Sequence, residues 1–397
     1  MKTESSFKPR AINKINCSIA LLMLATTVSF AADPTQQPLL HSSDITYLGS
    51  FKLPRPASGD SVGSFDYGGM ALAVSEDGKS LYVGGHVWNL SLGQVAIPNI
   101  GGTASLIKAP VDVPGSVGSG TTELSGALVY NGRLIVQKRI PYDTDGSGPT
   151  HAVGATNISG FSSFSRMANL DSAAFGNGFM GLIPQEWQPL LGGPAFSGSG
   201  PMSINSISAN GPTFYVFNPA DVNVKTSIPS IPLMYYTLAN PLADPNKAND
   251  LYSRSDYYTA GIVFPSGTRS VLYIGRHGYG SPTYKKDDGG CGGSGGEGGA
   301  PYRRQITAFD ANDLLAVKNG TKKPYEVRPY EWWTAPGPQD KCAKFKFAGL
   351  AYDPISRKIY VSLDYGESPE IHVWQVSGTA GVAPPSSLSS PSNLRVQ

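Results

Sequence analysis

Residues 67–86 read YGGMALAVSEDGKSLYVGGH, and this stretch decides what the chain builds. Gly69 to Val74 is a small-residue, apolar run, Glu76-Asp77-Gly78 is a polar turn, and Leu81 to Gly85 returns as a second apolar run. Two such runs about an Asp-Gly turn make a β-hairpin. The pattern recurs at 125–139 (SGALVYNGRLIVQKR), 260–277 (AGIVFPSGTRSVLYIGRH) and 348–364 (AGLAYDPISRKIYVSLD), with a looser copy at 200–219 (GPMSINSISANGPTFYVFNP). No single hairpin can bury both of its faces, so the repetition predicts sheets arranged radially about a common axis. The fold class is therefore all-β, a β-propeller of five or six blades, with length enough for seven.

Working outward, the last hairpin is followed by only one more strand, EIHVWQV at 370–376, whereas a blade holds four. The run ITYLGSFKL at 45–53 alternates like a strand but has no neighbouring partner. It is expected to be the outermost strand of the last blade, closing the ring from the N-terminal side. Residues 94–100 and 104–109 complete the first blade, 232–238 gives an outer strand, 303–309 another strand, and 313–318 a short helical turn. Residues 32–43 read as extended chain. GFMGLIPQEWQPLLGGP at 178–194 reads as a short helix starting at Pro184 and stopping at Gly192-Gly193. The segment 150–190 leaves room for a sixth hairpin. Within Glu331-Trp332-Trp333 the alternation of a strand places one tryptophan in the core and one outside.

The first 31 residues carry Lys2, Lys8, Arg10 and Lys14, an apolar core from Cys17 to Val28, and a small-x-small site at Ser29-Phe30-Ala31. That is the layout of a secretion signal. The domain organisation is thus 1–31 signal peptide, 32–376 propeller and 377–397 a Pro/Ser-rich tail with the composition of a linker. No later stretch has the length and apolarity of a transmembrane segment. Removing the leader leaves 27 basic and 28 acidic residues, so nucleic acid is not an expected partner. The product is expected outside the cytoplasm, secreted or periplasmic, as a monomer. Two cysteines remain, Cys291 inside the glycine-rich run 285–300 (KKDDGGCGGSGGEGGA) and Cys342, and an even pair in an exported chain points to a disulfide.

The start of a blade's first strand and the end of its second lie side by side in an antiparallel hairpin, so in every blade they share one face of the propeller. Three residues before each anchoring glycine stand Asp66, Glu123, Ser197, Tyr258 and Lys346. At the ends of the second strands stand His86, Arg139, Pro219, His277 and Asp364. Seven of these ten are charged or histidine in a chain only 15% charged, and aromatics follow closely at Trp88, Tyr142, Tyr279 and Tyr365. Polar strand ends facing water give the same pattern without any function.

As a site, the set supports two chemistries. A polysaccharide lyase needs a base for the proton α to a uronate carboxyl, a cation on that carboxylate and an acid for the leaving oxygen. His277 or His86, Arg139 and Tyr258 fill those roles. A glycoside hydrolase needs two carboxyls at a set separation, which Asp66 and Glu123 supply. Lys346, Asp364, Arg276 and Tyr279 complete the substrate-binding set. A divalent metal held by Asp66, Glu123, His86 and His277 is a third use of the same residues.

The hairpin pattern, glycine-led strands followed by Leu-Tyr-Val strands, resembles the NHL-repeat and gluconolactonase-like propellers. That resemblance implies the architecture. Gluconolactonase-like enzymes are metal-dependent lactonases whose first blade supplies a ligand from a Glu-Gly-Pro motif, and this chain has Phe65-Asp66-Tyr67-Gly68 there instead. The expectation is an exported propeller that binds an extracellular glycan and acts on it, by elimination ahead of hydrolysis. The alternative is a non-catalytic glycan- or protein-binding module of the cell envelope.

Overall fold

A computed structural model describes residues 33–113, 123–139, 148–170, 176–200, 209–253, 256, 259–284, 291, 297–339, 342, 346–364 and 369–378, together with Met1. From Asp33 onward they belong to one unit. Among the described residues its strands form five sheets of three or four strands, the blades, and two small two-stranded sheets, Ser227–Ile228 with Arg166–Met167 and Thr283–Tyr284 with Glu297–Gly298. Blade one is Leu72–Val74, Ser80–Gly84, Ser91–Ala96 and Ser105–Asp112; blade two is Glu123–Tyr130, Arg133–Arg139 and His151–Ala155. Blade three is Phe179–Leu182, Ala195–Gly198, Phe214–Phe217 and Ser230–Met234. Blade four is Thr259–Val263, Ser270–Gly278, Tyr302–Asp310 and Pro329–Thr334. Blade five is Lys346–Asp353, Lys358–Asp364 and Glu370–Val376, with Ile45–Lys52 antiparallel to Glu370–Val376 as its outermost strand.

The first strands of successive blades neighbour one another in a closed circuit, one to two to three to four to five and back to one. This makes the molecule a five-bladed β-propeller. Strands this apolar cannot face water on either side, and each blade covers the next. One buried apolar cluster sits at each junction, for example Tyr82 and Leu92 with Leu134 and Val136 between blades one and two, and Phe347, Val361 and Trp374 with Leu272 and Ile306 between five and four. A fully buried side chain of this size contributes about 1.5–3 kcal/mol. Met70, Leu72, Phe179, Met180, Ala260 and Leu350, from the first-strand regions of four blades, line one small space near the axis.

The glycines that open the repeats have a steric reason. In blades two, four and five the pairing register slips at Leu124/Gly126, Thr259/Gly261 and Phe347/Gly349, so the residue before each glycine is bulged. A Cβ on Gly349 would lie 2.4 Å from the carbonyl oxygens of both Gly69 and Met70 in blade one, a clash of backbone on backbone.

Blade three corrects the looser repeat. The stretch 200–219 does not supply its first two strands; Phe214–Phe217 is the third strand, and the first is Phe179–Leu182. The expected helix over 178–194 is therefore a strand followed by a single helical turn, Gln188–Leu191, which Gly192 ends at φ +93°. Phe179 and Met180 are buried in junction clusters, and that packing overrides the helix-like spacing of the segment. Ser197, expected at the opening of a first strand, lies instead within the second strand Ala195–Gly198, and Pro219, expected at the end of a second strand, follows the third strand and so lies at the opposite end of the blade. Residues 33–44 are not simply extended: two 3₁₀ turns, Pro34–Gln36 and Ser42–Asp44, flank a segment tied to blade four, where Leu40 N–H donates to Ser270 Oγ (2.8 Å) and Tyr330 Oη donates to Leu40 O (2.6 Å).

Candidate functional site

In blades two and five the aligned strand ends stand side by side. Glu123 stands directly opposite Arg139 in blade two, and Lys346 directly opposite Asp364 in blade five. The side chains of Lys346 and Asp364, and all of Tyr258, lie outside the described residues. The remaining candidates divide into a sector on blades one and two and a sector on blade four.

On blade one the chain turns tightly before its first strand. Gly68 N–H donates to Phe65 O (3.0 Å), which places Asp66 and Tyr67 at the corner of a turn, Tyr67 with φ +53°. A bulky side chain in the left-handed region is an outlier that persists only where its surroundings force it. Here they do. Asp66 N–H donates to Ser64 Oγ (3.0 Å), Asp66 Oδ2 accepts from Arg55 Nη2 (2.9 Å) and from Gly59 N–H (2.8 Å), and Gly69 N–H donates to Gly84 O (2.9 Å). Gly68 has no room for a Cβ, which would sit 2.4 Å from Gly85 O. Asp66 is only 1% exposed, and its Oδ1 is buried with no hydrogen-bond partner. The Tyr67 ring, by contrast, is 45% exposed.

His86 ends the second strand of that blade and lies between two exposed rings. Its centroid is 5.6 Å from Tyr67 and 5.2 Å from Trp88, both in edge-on geometry, and Trp88 is 61% exposed. The Trp88 backbone N–H donates to His86 Nδ1 (3.2 Å), which leaves the neutral ring's proton on Nε2. Burial lowers the affinity of this imidazole for a second proton, and the nearby carboxylates of Asp60 and Asp66 oppose that in part. The cluster thus offers two apolar ring surfaces and one N–H donor between them.

In blade two Arg139 Nε donates to Glu123 Oε2 at 2.5 Å, and Arg139 Nη2 reaches to 3.9 Å from Met70 Sδ, across the junction with blade one. Cation and carboxylate are each other's partners. Below them lies a polar network that closes the blade two to three junction. Gln137 Nε2 donates to Ser197 Oγ (2.7 Å), and His151 Nε2 is 3.1 Å from the same hydroxyl. Complete burial depresses the His151 pKa to about 3.

Blade four organises differently. His277 Nδ1 lies 2.7 Å from Asp256 Oδ2 and Nε2 lies 2.8 Å from Asn249 O. A carboxylate and a carbonyl can only accept, so both ring nitrogens donate. Burial acts to lower this pKa, but the Asp256 charge and hydrogen bond, with the Asn249 carbonyl, outweigh it and raise the pKa above the ordinary histidine value. Asp256 also accepts from Gly278 N–H (2.8 Å) and Ser253 N–H (2.8 Å), so His277 anchors the loop 249–256. The buried Arg276 lies 4.0 Å above the Tyr302 ring, directly opposite Arg304 on the next strand. Tyr279 and Trp332 flank Arg303, at 4.7 and 3.9 Å, and Trp333 is the tryptophan that turns into the core. Cys291 and Cys342 form a disulfide.

Among the described residues no three His, Cys, Asp or Glu side chains come together as a metal shell, and no helix is long and apolar enough to cross a membrane. Sequence reasoning missed Arg55, Asp60 and Asp256. All three come from irregular loops with no repeat to align them. It did not single out Tyr67, although a tyrosine followed by two glycines at a strand entrance marks a turn.

Fold and site together define a five-bladed β-propeller with an aromatic cluster on the face where its second strands end. No family model matches the chain, and no curated protein does. Among solved structures the chain is similar to a glycosyl hydrolase from Bacteroides ovatus, at 13% identity over 89% of this chain and 94% of that one, with a TM-score of 0.44. It is also similar to an exo-β-1,3-galactanase variant from Phanerochaete chrysosporium solved with β-1,3-galactotriose, at 9% identity over 83% of this chain and 64% of that one, with a TM-score of 0.42. At these identities and scores the likenesses assign no residue a role.

Proposed function

We propose that the protein is an exported glycan-binding propeller whose ligand lies on Tyr67, His86 and Trp88. The observation that carries this reading is the pair of exposed rings about a buried histidine, one of them held in a strained backbone conformation. Aromatic faces stack on the apolar C–H faces of sugar rings, and an N–H between them supplies a hydroxyl partner. The leader pattern and the disulfide support a site of action outside the cytoplasm.

Turnover of the bound glycan is a second reading, favoured by the unclaimed Oδ1 of Asp66 one residue from the platform. Hydrolysis by Asp66 and Glu123 would require Glu123 to release Arg139. Elimination through His277 and Arg139 would require His277 to release Asp256 or Asn249 before accepting a proton, and Arg139 to release Glu123. The test is affinity electrophoresis through gels cast with individual polysaccharides, followed by incubation with those that retard migration. Retardation of the wild type that Trp88→Ala weakens on the order of tenfold in affinity supports the platform. Reducing ends appearing during incubation add hydrolysis, and new absorbance from unsaturated uronates adds elimination. Equal migration of wild type and Trp88→Ala in every gel overturns the assignment.

A further inference from the structure

The platform's surroundings bear on which glycans it accepts, an inference that rests on the binding reading above. The loop 55–66 runs beside the turn that carries Trp88, and the two are joined where Asn89 Nδ2 donates to Asp60 O (2.8 Å). Asp60 is exposed, and the backbone bond to Asn89 puts it beside the turn that carries Trp88. The charges that act on the His86 ring are two carboxylates, Asp60 and Asp66. The arginines of this sector are occupied: Arg55 by Asp66 and Arg139 by Glu123. A uronate or sulfate laid across Tyr67 and Trp88 would therefore enter a region where the charges acting on His86 are carboxylates and where Arg55 and Arg139 are already paired with acids. Like charges brought together repel, and more so at low salt. A neutral sugar meets no such penalty. Its hydroxyls are donors, and a carboxylate is an acceptor with two oxygens that can take a pair of adjacent hydroxyls.

We propose that Asp60 selects neutral glycans at the Tyr67–His86–Trp88 platform, accepting hydrogen bonds from sugar hydroxyls and repelling polyanionic chains. The Asn89 bond is to the Asp60 backbone carbonyl, so Asp60→Asn leaves it in place while removing the charge. Affinity gels of galactan, glucan, xylan and mannan are compared with gels of polygalacturonate and alginate, at low and at moderate salt, for wild type, Asp60→Asn and Trp88→Ala. The expected result is retardation of the wild type by at least one neutral polysaccharide, with little change on adding salt, and none by the polyuronates. Asp60→Asn is expected to weaken the neutral interaction about tenfold, the effect of losing a hydrogen bond to a charged acceptor, and to permit some retention by polyuronate at low salt. Wild-type retention by polyuronate that salt abolishes would overturn the selection while leaving the platform standing, provided Trp88→Ala weakens it. Neutral retention that Asp60→Asn leaves unchanged would overturn the role of Asp60 alone. Absence of retention on every gel would overturn the platform and this inference together.

Discussion

Tyr67 combines a conformation that tyrosine disfavours with a ring that the protein does not bury, and a pair of substitutions separates those two properties. Tyr67→Ala and Tyr67→Gly remove the same ring, so both lose its contacts with His86 to the same extent. They differ in whether a Cβ must sit at φ +53°. The left-handed region costs an L-residue about 1–2 kcal/mol, and glycine avoids this, while its more flexible unfolded chain returns roughly 0.5–1 kcal/mol. The glycine variant should therefore be more stable than the alanine variant by about 1 kcal/mol. For a unit of this size, with roughly 2.1 cal/mol/K of unfolding entropy per residue, that is a difference of about 1–2 °C in Tm, and calorimetry or urea midpoints measured side by side resolve it. Glycan binding should fall equally in both. Stability and binding would then part company at a single position, as expected where strain is kept to present a side chain. An alanine variant as stable as the glycine variant would mean that the turn does not hold residue 67 at positive φ, and the case for a forced ring would fail.

Acid should weaken the fold through His151. Its folded pKa of about 3 lies below an unfolded value near 6.5, so the unfolded chain binds the extra proton between those limits, and stability falls as pH drops through that window by about 1.4 kcal/mol per unit. Urea midpoints of wild type and His151→Asn across pH 4–7 check this, and a variant with an undiminished slope would refute it. His277 behaves oppositely. Its folded pKa is raised, so its contribution is complete below about pH 6.5 and is lost as pH rises through the folded value; hydrogen exchange of the amides of Ser253 and Gly278 should quicken there in the wild type. Reducing the Cys291–Cys342 disulfide, which spans a sequence separation of 51, should lower stability by up to about 4 kcal/mol in the chain-entropy limit, read as a shift in urea midpoint with and without reductant. Gly349→Ala should destabilise by more than about 3 kcal/mol, because its new methyl meets two backbone carbonyls that no rotamer change can move; a loss under 1 kcal/mol would show that blades one and five can separate there.

The hairpin repeat was legible because each blade solves the same problem. A glycine is needed where first strands approach across the axis and bulge, and the second strand needs alternating Leu, Tyr and Val to cover the neighbouring blade. Four of the five blades keep that arrangement in the open. Blade three hides it: between its first and second strands lies the helical turn 188–191 with Pro184, Pro189 and Pro194 around it, so the return strand Ala195–Gly198 is far from the Phe179–Leu182 strand in sequence. The stretch 200–219 then reads as the blade's opening hairpin, although its strand Phe214–Phe217 is the third. A longer turn changes the spacing without changing the pairing, and a single sequence records only the spacing.

The site was legible to the extent that it is built from strand ends. Asp66, His86, Glu123 and Arg139 stand on the shared face because hairpin geometry puts them there, whatever the loops do. What those residues are free to do is settled by partners from irregular segments. Arg55 holds Asp66 from a loop eleven residues upstream, and Asp256 with Asn249 engages His277 from the crossing between blades three and four. A histidine on a functional face reads as a base until an acceptor is found on each nitrogen; then it is a strut. The same logic favours Tyr67 and Trp88, whose rings remain exposed while Arg55, Arg139 and Glu123 around them are paired. Charge count alone drew attention to the ionisable set, but paired charges have little left to offer a ligand. The groups able to bind are the ones whose surfaces the fold leaves open, and among the described residues of blade one those include the rings of Tyr67 and Trp88 on either side of His86.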